Sequence, residues 1–417
     1  MTEQVPVTAQ AELQNQPLAP HPREFGANDV VNVQSYLQEL HDTSVAEGSD
    51  YVPGATGMYN KLTEVPHSPE AEPSASEDSF DKSVSSLLSA WGERNGLPAG
   101  SPETLAETRE MFSVNPKLNN ESPIHFQGGA EYASGRFVHV ATGRAMGKHR
   151  ESSARRYYLN PSADKMGHIV EQLTGAALEA EVPLYFKFVD VATGKPDQRT
   201  LNRTDRVVIY ASEAQTGFVE DLLGHVSAEN PEAFAGRKVA GFGESLADGI
   251  TRADDVTKEQ NDRFKGQTEG TSFNDLRSKL IYEATLDVTK DLLGFPDYAA
   301  SIGAVAANGE TIRSTFASEL SKAISQRQAG TVVKEDDPLL VEAFELGLSE
   351  EKLLQSGKFG EAVLRDIKNC VGKTARDIVP RIKPEDLLPG YKNQIHALAP
   401  KYGIDPDNLA KNIPIAA

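Results

Sequence analysis

The spacing of apolar residues changes along this chain, and each change marks a different kind of element. Four short runs, 135–141, 154–160, 182–190 and 205–211, are aromatic and β-branched, the make-up that suits a pleated, half-buried surface. The second run leads through Pro161 into residues of helical spacing, Met166, Ile169, Val170 and Leu173, and the fourth leads into a helix at 213–223. The order strand, strand, helix, strand, strand, helix predicts an α+β unit, a small mixed or antiparallel sheet with flanking helices. The strand after the first helix can pair either way. From residue 272 onward the period is mainly helical, at 273–293, 311–327, 339–346 and 350–371, and the Pro and Gly of 384–417 predict short helices and turns.

Upstream of the sheet the pattern fades. Residues 1–75 are rich in Gln, Pro, Ser, Glu and Ala with few aliphatic clusters, so they bury too little apolar surface to offset ordering entropy and are read as a disordered N-terminus with one short helix at 30–40. Phe80, Val84, Leu87, Leu88 and Trp91 fall at helical spacing, and a second helix runs from Pro102, capped by Ser101, to about Phe112. The expected organisation is a disordered segment at 1–75, a helical docking segment at 76–120, an α+β domain at 121–300 and a helical C-terminal region at 301–417. Residues 233–269 read as loop-rich.

Composition narrows the chemistry. The 417 residues carry 42 Lys+Arg against 61 Asp+Glu, a net charge of −19, which argues against nucleic acid or an anionic membrane as the main partner. Cys370 is the only cysteine, so neither an intrachain disulfide nor a cysteine-based zinc site can form. No run reaches the roughly 18 apolar residues of a membrane span, and the first residues lack the basic and apolar regions of a secretory signal peptide, so cytoplasmic synthesis of a soluble chain is expected. The charge is uneven. Residues 1–130 have 6 basic and 19 acidic side chains, whereas 131–210 have 12 and 9, a cationic block inside an acidic chain.

The nine His are scattered without paired metal-ligand spacing, so no metal and no cofactor are expected. No nucleophile elbow, dinucleotide fingerprint or Walker loop follows a strand. The cationic block is more informative. Alternate strand residues share a face, which groups Phe137 with His139, Arg156 with Tyr158, Tyr185 with Lys187, and Arg206 with Tyr210. One sheet face can thus present an imidazole, an amine, two guanidinium forks and two phenols. That set suits removal of phosphate from a phosphorylated side chain by β-elimination, with Lys187 as base, His139 as acid, and Arg156, Arg206, Tyr158 and Tyr210 as phosphate ligands. The bland alternative stands beside it. Lys and Arg in strands commonly meet water or pair with acids such as Asp190 and Asp205, and Lys187 between Phe186 and Phe188 reads equally as a lysine snorkelling from a sheet edge. The run from Gly241 to Leu246 is either a backbone phosphate nest or an ordinary turn. Arg277 either reaches toward the sheet or is a solvated helix residue.

On these residues the chain resembles the Hop-A (HopPsyA/HrmA-like) family of type III secretion effectors. The matching positions are 136–139, 156–161, Lys187 with the following Phe-Val, 204–210, 241–245 and 272–277, and the ending at 402–410 is similar as well. The resemblance implies an α+β effector domain behind a secretion region, a host protein or peptide as target, interference with host immune signalling and a secretion chaperone as a further partner. Relatives in class V lanthipeptide pathways imply elimination of phosphate from phospho-Ser or phospho-Thr. A looser similarity to phosphothreonine lyases implies a Lys base and a His acid. The effector branch carries an aromatic residue where this chain has His139, so His139 either marks a catalytic branch or is not catalytic. Two functions stay open: a metal-independent phospho-Ser/Thr lyase, and a non-catalytic effector that binds a host immune-signalling protein.

Overall fold

The computed structural model describes residues 21–48, 52–63, 124–127, 137–142, 153–189, 203–238, 241–264, 272–294, 338–346, 348–358 and 360–415, with helical turns at 316–318 and 320–322. These form two compact units. Among the described residues, the first draws on the ranges 21–23, 63–273 and 408–412; the second draws on 24–62, 274–407 and 413–415. The helices expected at 80–91 and 102–112 lie outside the described residues.

The first unit is built on a sheet of seven strands: β1 (Ile124–Gln127), β2 (Phe137–Thr142), β3 (Arg155–Leu159), β4 (Tyr185–Val189), β5 (Val207–Ala211), β6 (Glu244–Ala247) and β7 (Ile250–Asp254). Their spatial order is β1-β2-β4-β5-β3-β7-β6, and every pairing is antiparallel. β3 inserts between β5 and β7, so the β3–β4 connection must cross the sheet. It does so through the helix α1 of this unit, hereafter αA (Met166–Glu179); αB (Thr216–Glu229) follows β5. The two helices pack on one face. Met166, Ile169, Val170 and Leu173 of αA and Val219, Leu223 and Val226 of αB meet Tyr157, Leu159, Phe186, Phe188, Val207 and Ile209 in one core. αB starts where Ser212 and Gln215 sit three residues apart, and both the backbone N–H and the hydroxyl of Ser212 donate to the Gln215 side-chain oxygen. The antiparallel pairing settles the direction that the strand pattern left open.

β6 and β7 occupy a stretch expected to be loop. They form a hairpin closed by Asp248 and Gly249, with Gly249 at φ 64°, a left-handed position that glycine adopts without strain. A Cβ on Gly243 would lie 2.6 Å from Thr251 Cβ and 3.1 Å from the Arg252 carbonyl oxygen. That glycine therefore serves close approach of two strands, and the reading of 241–246 as a phosphate nest is withdrawn. Residues from both chain ends fasten this edge: His21 N–H donates to the Ser245 carbonyl, Asp254 N–H to that of Ala410, and Leu409 N–H to that of Arg23.

The second unit is helical. Its elements include Ala27–Glu47, Ala55–Thr63 up to Leu62, αC (Phe273–Gly294, from Asn274), Pro338–Glu345, αD (Glu350–Gln355), αE (Glu361–Ile378) and αF (Pro384–Leu398). The first two fall in the segment whose composition reads as disordered. The helix at 27–47 buries Val30, Val33 and Leu37, and Gln34 donates to the carbonyls of Val379 and Ile382 at 2.9 and 2.5 Å. Tertiary partners supply the burial that local composition lacks. The helix expected over 350–371 is broken: Gly357 takes φ 68°, and αE starts only at Glu361. Leu286, Leu353, Leu364, Ile367, Cys370 and Val371 share this unit's core.

Candidate functional site

Register decides which side chains can meet. His139 lies opposite Lys187, Lys187 opposite Val208, and Val208 opposite Tyr158; Tyr210 lies opposite both Tyr185 and Arg156. Opposed residues share a face, as does every second residue along a strand. His139, Tyr185, Lys187, Tyr210, Arg156 and Tyr158 therefore occupy one face, the one αA and αB leave uncovered.

A continuous row runs across that face. Nδ1 of His139 is 2.8 Å from the Tyr185 hydroxyl, and the two rings are stacked. Tyr185 stacks in turn on Tyr210, with centroids 4.8 Å apart. The Arg156 guanidinium lies 4.9 Å from the centre of the Tyr210 ring, and its Nε is 2.6 Å from Asp255 Oδ1. Arg156 and Asp255 are 13 % and 7 % exposed. Burial works against the Arg156 charge, yet Asp255, Tyr210 and Tyr158 outweigh it and push its pKa up. This arginine carries its charge permanently and shares it with a carboxylate.

Lys187 turns the other way along the face. Its Nζ lies 4.2 Å from the centre of the Phe137 ring, and the Arg203 guanidinium lies 5.1 Å from the same centre. Arg203 is held by Asp205 in a two-pronged pair at 2.8 and 2.7 Å. Among the described residues no carboxylate stands within ion-pair distance of Lys187.

The expected residues thus divide. His139 and Lys187 are neighbours across β2 and β4, and Arg156 and Tyr210 join the row through Tyr185. Tyr158 is buried on the same face, its ring 6.0 Å from Phe273. Arg206 does not converge with them: it is 2 % exposed and donates from Nη1 to the Pro161 carbonyl at 3.0 Å. It secures the segment that leads out of β3, and an anion outside the fold does not reach it. Three participants escaped the sequence reading. Tyr185 was placed on the face without a role, Phe137 was taken as a neighbour only, and Asp255 lay in the stretch read as loop. The Asp248-Gly249 pair between two apolar runs was the available signal for the hairpin that delivers Asp255.

Residues 132–294 match the model of the HopA1 effector protein family. Over that stretch the chain is similar to the HopA1 effector protein family. The matched stretch runs from just before β2 through αC and contains every residue of the row, Asp255 included. An effector protein structure from Pseudomonas syringae pv. tomato strain DC3000 is similar at 14 % identity over 61 % of this chain and 87 % of that one, with a TM-score of 0.34. An effector protein structure from Pseudomonas syringae pv. syringae strain 61 is similar at 12 % identity over 62 % and 88 %, with a TM-score of 0.33. No curated protein matches the chain. No helix among the described residues is long and apolar enough to cross a membrane.

Proposed function

We propose that this chain is a type III secreted effector, made in the bacterial cytoplasm and delivered into a host cell, whose HopA1 domain removes phosphate from phospho-Ser or phospho-Thr of a host protein by β-elimination. The observation that carries the reading is His139 directly opposite Lys187 on neighbouring strands. Lys187 takes the α-proton, the electron pair left behind forms the Cα=Cβ double bond, and the Cβ–O bond breaks. Phosphate leaves as it accepts a proton from His139, and the products are a dehydroamino acid and inorganic phosphate. As the acid, His139 is the imidazolium: Nδ1–H donates to the Tyr185 hydroxyl oxygen, which fixes the ring and leaves the Nε2 proton for the departing phosphate. Tyr185 is a positioning residue in this scheme. Arg156 contributes through its terminal nitrogens, with Tyr210 beneath it and Tyr158 beside it; Arg206 has no part.

The test is mass spectrometry of a phosphothreonine peptide library incubated with the full chain. Loss of phosphoric acid, leaving an alkene that adds thiols, supports the reading, and Lys187→Ala should abolish it. Loss of phosphate with retention of the hydroxyl, or no reaction in any peptide, refutes it.

A second reading has its own support. Arg156 and Arg203 are each matched by a carboxylate, Asp255 and Asp205, which suits a structural face better than a phosphate trap. On this reading the domain binds a host immune-signalling protein without chemistry. Lys187→Ala then leaves capture of that protein intact, and recovery of nothing specific from host lysate counts against it.

A further inference from the structure

The helical unit contains a cavity of about 420 Å³ that the reaction above does not use. αC, αD, αE and αF wall it, and its size falls in the range of small-ligand sites, roughly 300–1,000 Å³. Two kinds of surface meet there. Leu286, Leu348, Leu353, Leu364, Ile367 and Val371 are buried side chains that supply an apolar lining. Opposite charge chemistry comes from αC, where Glu283, Asp287 and Asp291 are spaced four residues apart and so share one side of the helix.

These carboxylates are not equivalent. Asp287 is bound by Lys290 at 2.7 Å, and Glu283 takes a hydrogen bond from the Tyr402 hydroxyl. Asp291 receives only the neutral side-chain amide of Gln394, at 2.7 Å, and makes no ion pair among the described residues. Lys368 and Lys401 also border the cavity, but both are exposed and can turn into water. Water filling this space would find few partners along the leucine wall, whereas a chain of methylenes would gain from it. An anion would meet Asp291 and its neighbours. A neutral apolar molecule would leave half-buried Asp291, pressed by Asp287, to share the charge of Lys290, which Asp287 already binds.

We propose that this cavity binds a primary ammonium carried on an aliphatic chain, the stem lying against Leu353, Ile367 and Val371 and the ammonium meeting Asp291. The chemistry is that of a lysine side chain or of a free aliphatic diamine, and it is independent of any lyase activity.

The experiment uses the full chain and isothermal titration calorimetry with four probes: cadaverine, Nα-acetyl-lysine methylamide, n-pentanol and pentanoate. At least one amine should bind at least ten times more tightly than the alcohol and the acid. The stronger amine identifies the source, a side chain of a partner protein or a free diamine. Asp291→Asn should weaken the amine at least tenfold, and Leu398→Phe, which adds bulk at the lining without touching the charge, should weaken it as well. Circular dichroism confirms that each variant is folded, and the second keeps the test alive if the first is not. Equal binding of alcohol and amine, tighter binding of pentanoate, absence of amine binding at millimolar concentration, or full affinity in both folded variants overturns the proposal.

Discussion

Replacing Arg252 tests how the edge hairpin is held against the sheet. Its Nη1 lies 2.6 Å from Glu220 Oε1 and its Nε 2.7 Å from Glu244 Oε2, so one guanidinium joins αB to β6. Arg252 and Glu244 are 14 % and 6 % exposed, and Glu220 is about a quarter exposed. Arg252→Met keeps much of the apolar stem and removes the charge, leaving two carboxylates without their shared donor. Removing one partner of a buried pair costs about 3–5 kcal/mol, and the partial exposure of Glu220 together with Lys411 at 3.8 Å from Glu244 places the expectation near the lower figure. The pH dependence separates charge from packing. Burial pushes the Glu244 carboxyl up, but hydrogen bonds from Arg252 and Asn408 outweigh it and hold its pKa below the ordinary value. A depressed carboxyl stabilises the fold above its unfolded pKa, about 4.3, and that contribution fades as pH falls through the folded value. The gap between wild type and variant should be full near pH 7 and clearly smaller near pH 4. Urea denaturation followed by circular dichroism at both pH values measures it. A gap below about 1 kcal/mol near pH 7, or one unchanged near pH 4, would show that the ion network does not hold the hairpin as argued here.

Further substitutions test other links. Tyr185→Phe should cost about 1 kcal/mol and release the His139 ring from its Nδ1 hydrogen bond; ring ¹⁵N chemical shifts unchanged from wild type would remove Tyr185 from its positioning role. Gly243→Ala drives a methyl against Thr251 and should destabilise by about 1–3 kcal/mol, so an unaltered melting temperature would contradict the close strand approach. Gln34→Ala strands two buried carbonyls of the helical unit, and about 2 kcal/mol of stability should be lost; a change under 0.5 kcal/mol on the same urea scale would mean that water replaces the amide.

What the sequence revealed tracks where its pattern was strong. The four strands 137–142, 155–159, 185–189 and 207–211 and both core helices follow from alternation and helical spacing, because each is amphipathic or buried in its own right. β6 and β7 were harder to see. Glu244, Arg252 and Asp254 interrupt the apolar alternation, since the hairpin is held partly by ion pairs that no periodicity records. The helix at 27–47 was under-read for a different reason: its buried stripe is short, and Gln34 is useful only where distant carbonyls await it. At the site, strand parity placed Lys187 and His139 on one face correctly. Parity could not foresee that Arg206, just outside β5, turns to Pro161, because the carbonyl it satisfies belongs to another strand's exit.

Charge compensation provides the sharpest remaining discrimination between chemistry and scaffold. The basic excess of residues 131–210 is met in space by acids that mostly follow it in sequence: Arg155 by Asp254 and Glu213, Arg156 by Asp255, Lys165 by Glu232. Lys187 has no such carboxylate among the described residues, and it is the residue opposite His139. Asp255→Asn exploits the contrast. The amide keeps an oxygen that can accept from the Val256 N–H, as Asp255 Oδ1 does at 2.7 Å, but it withdraws the negative charge from Arg156. If Arg156 is structural only, the variant loses about 3 kcal/mol of stability and gains nothing. If Arg156 also faces the phosphate, the same variant is less stable yet binds phosphopeptide more tightly, because the guanidinium no longer shares its charge. Urea denaturation and a phosphopeptide titration on one preparation separate the two. Reduced stability with unchanged or weaker phosphopeptide binding would remove Arg156 from the site and leave the Lys187 and His139 pair to act without it.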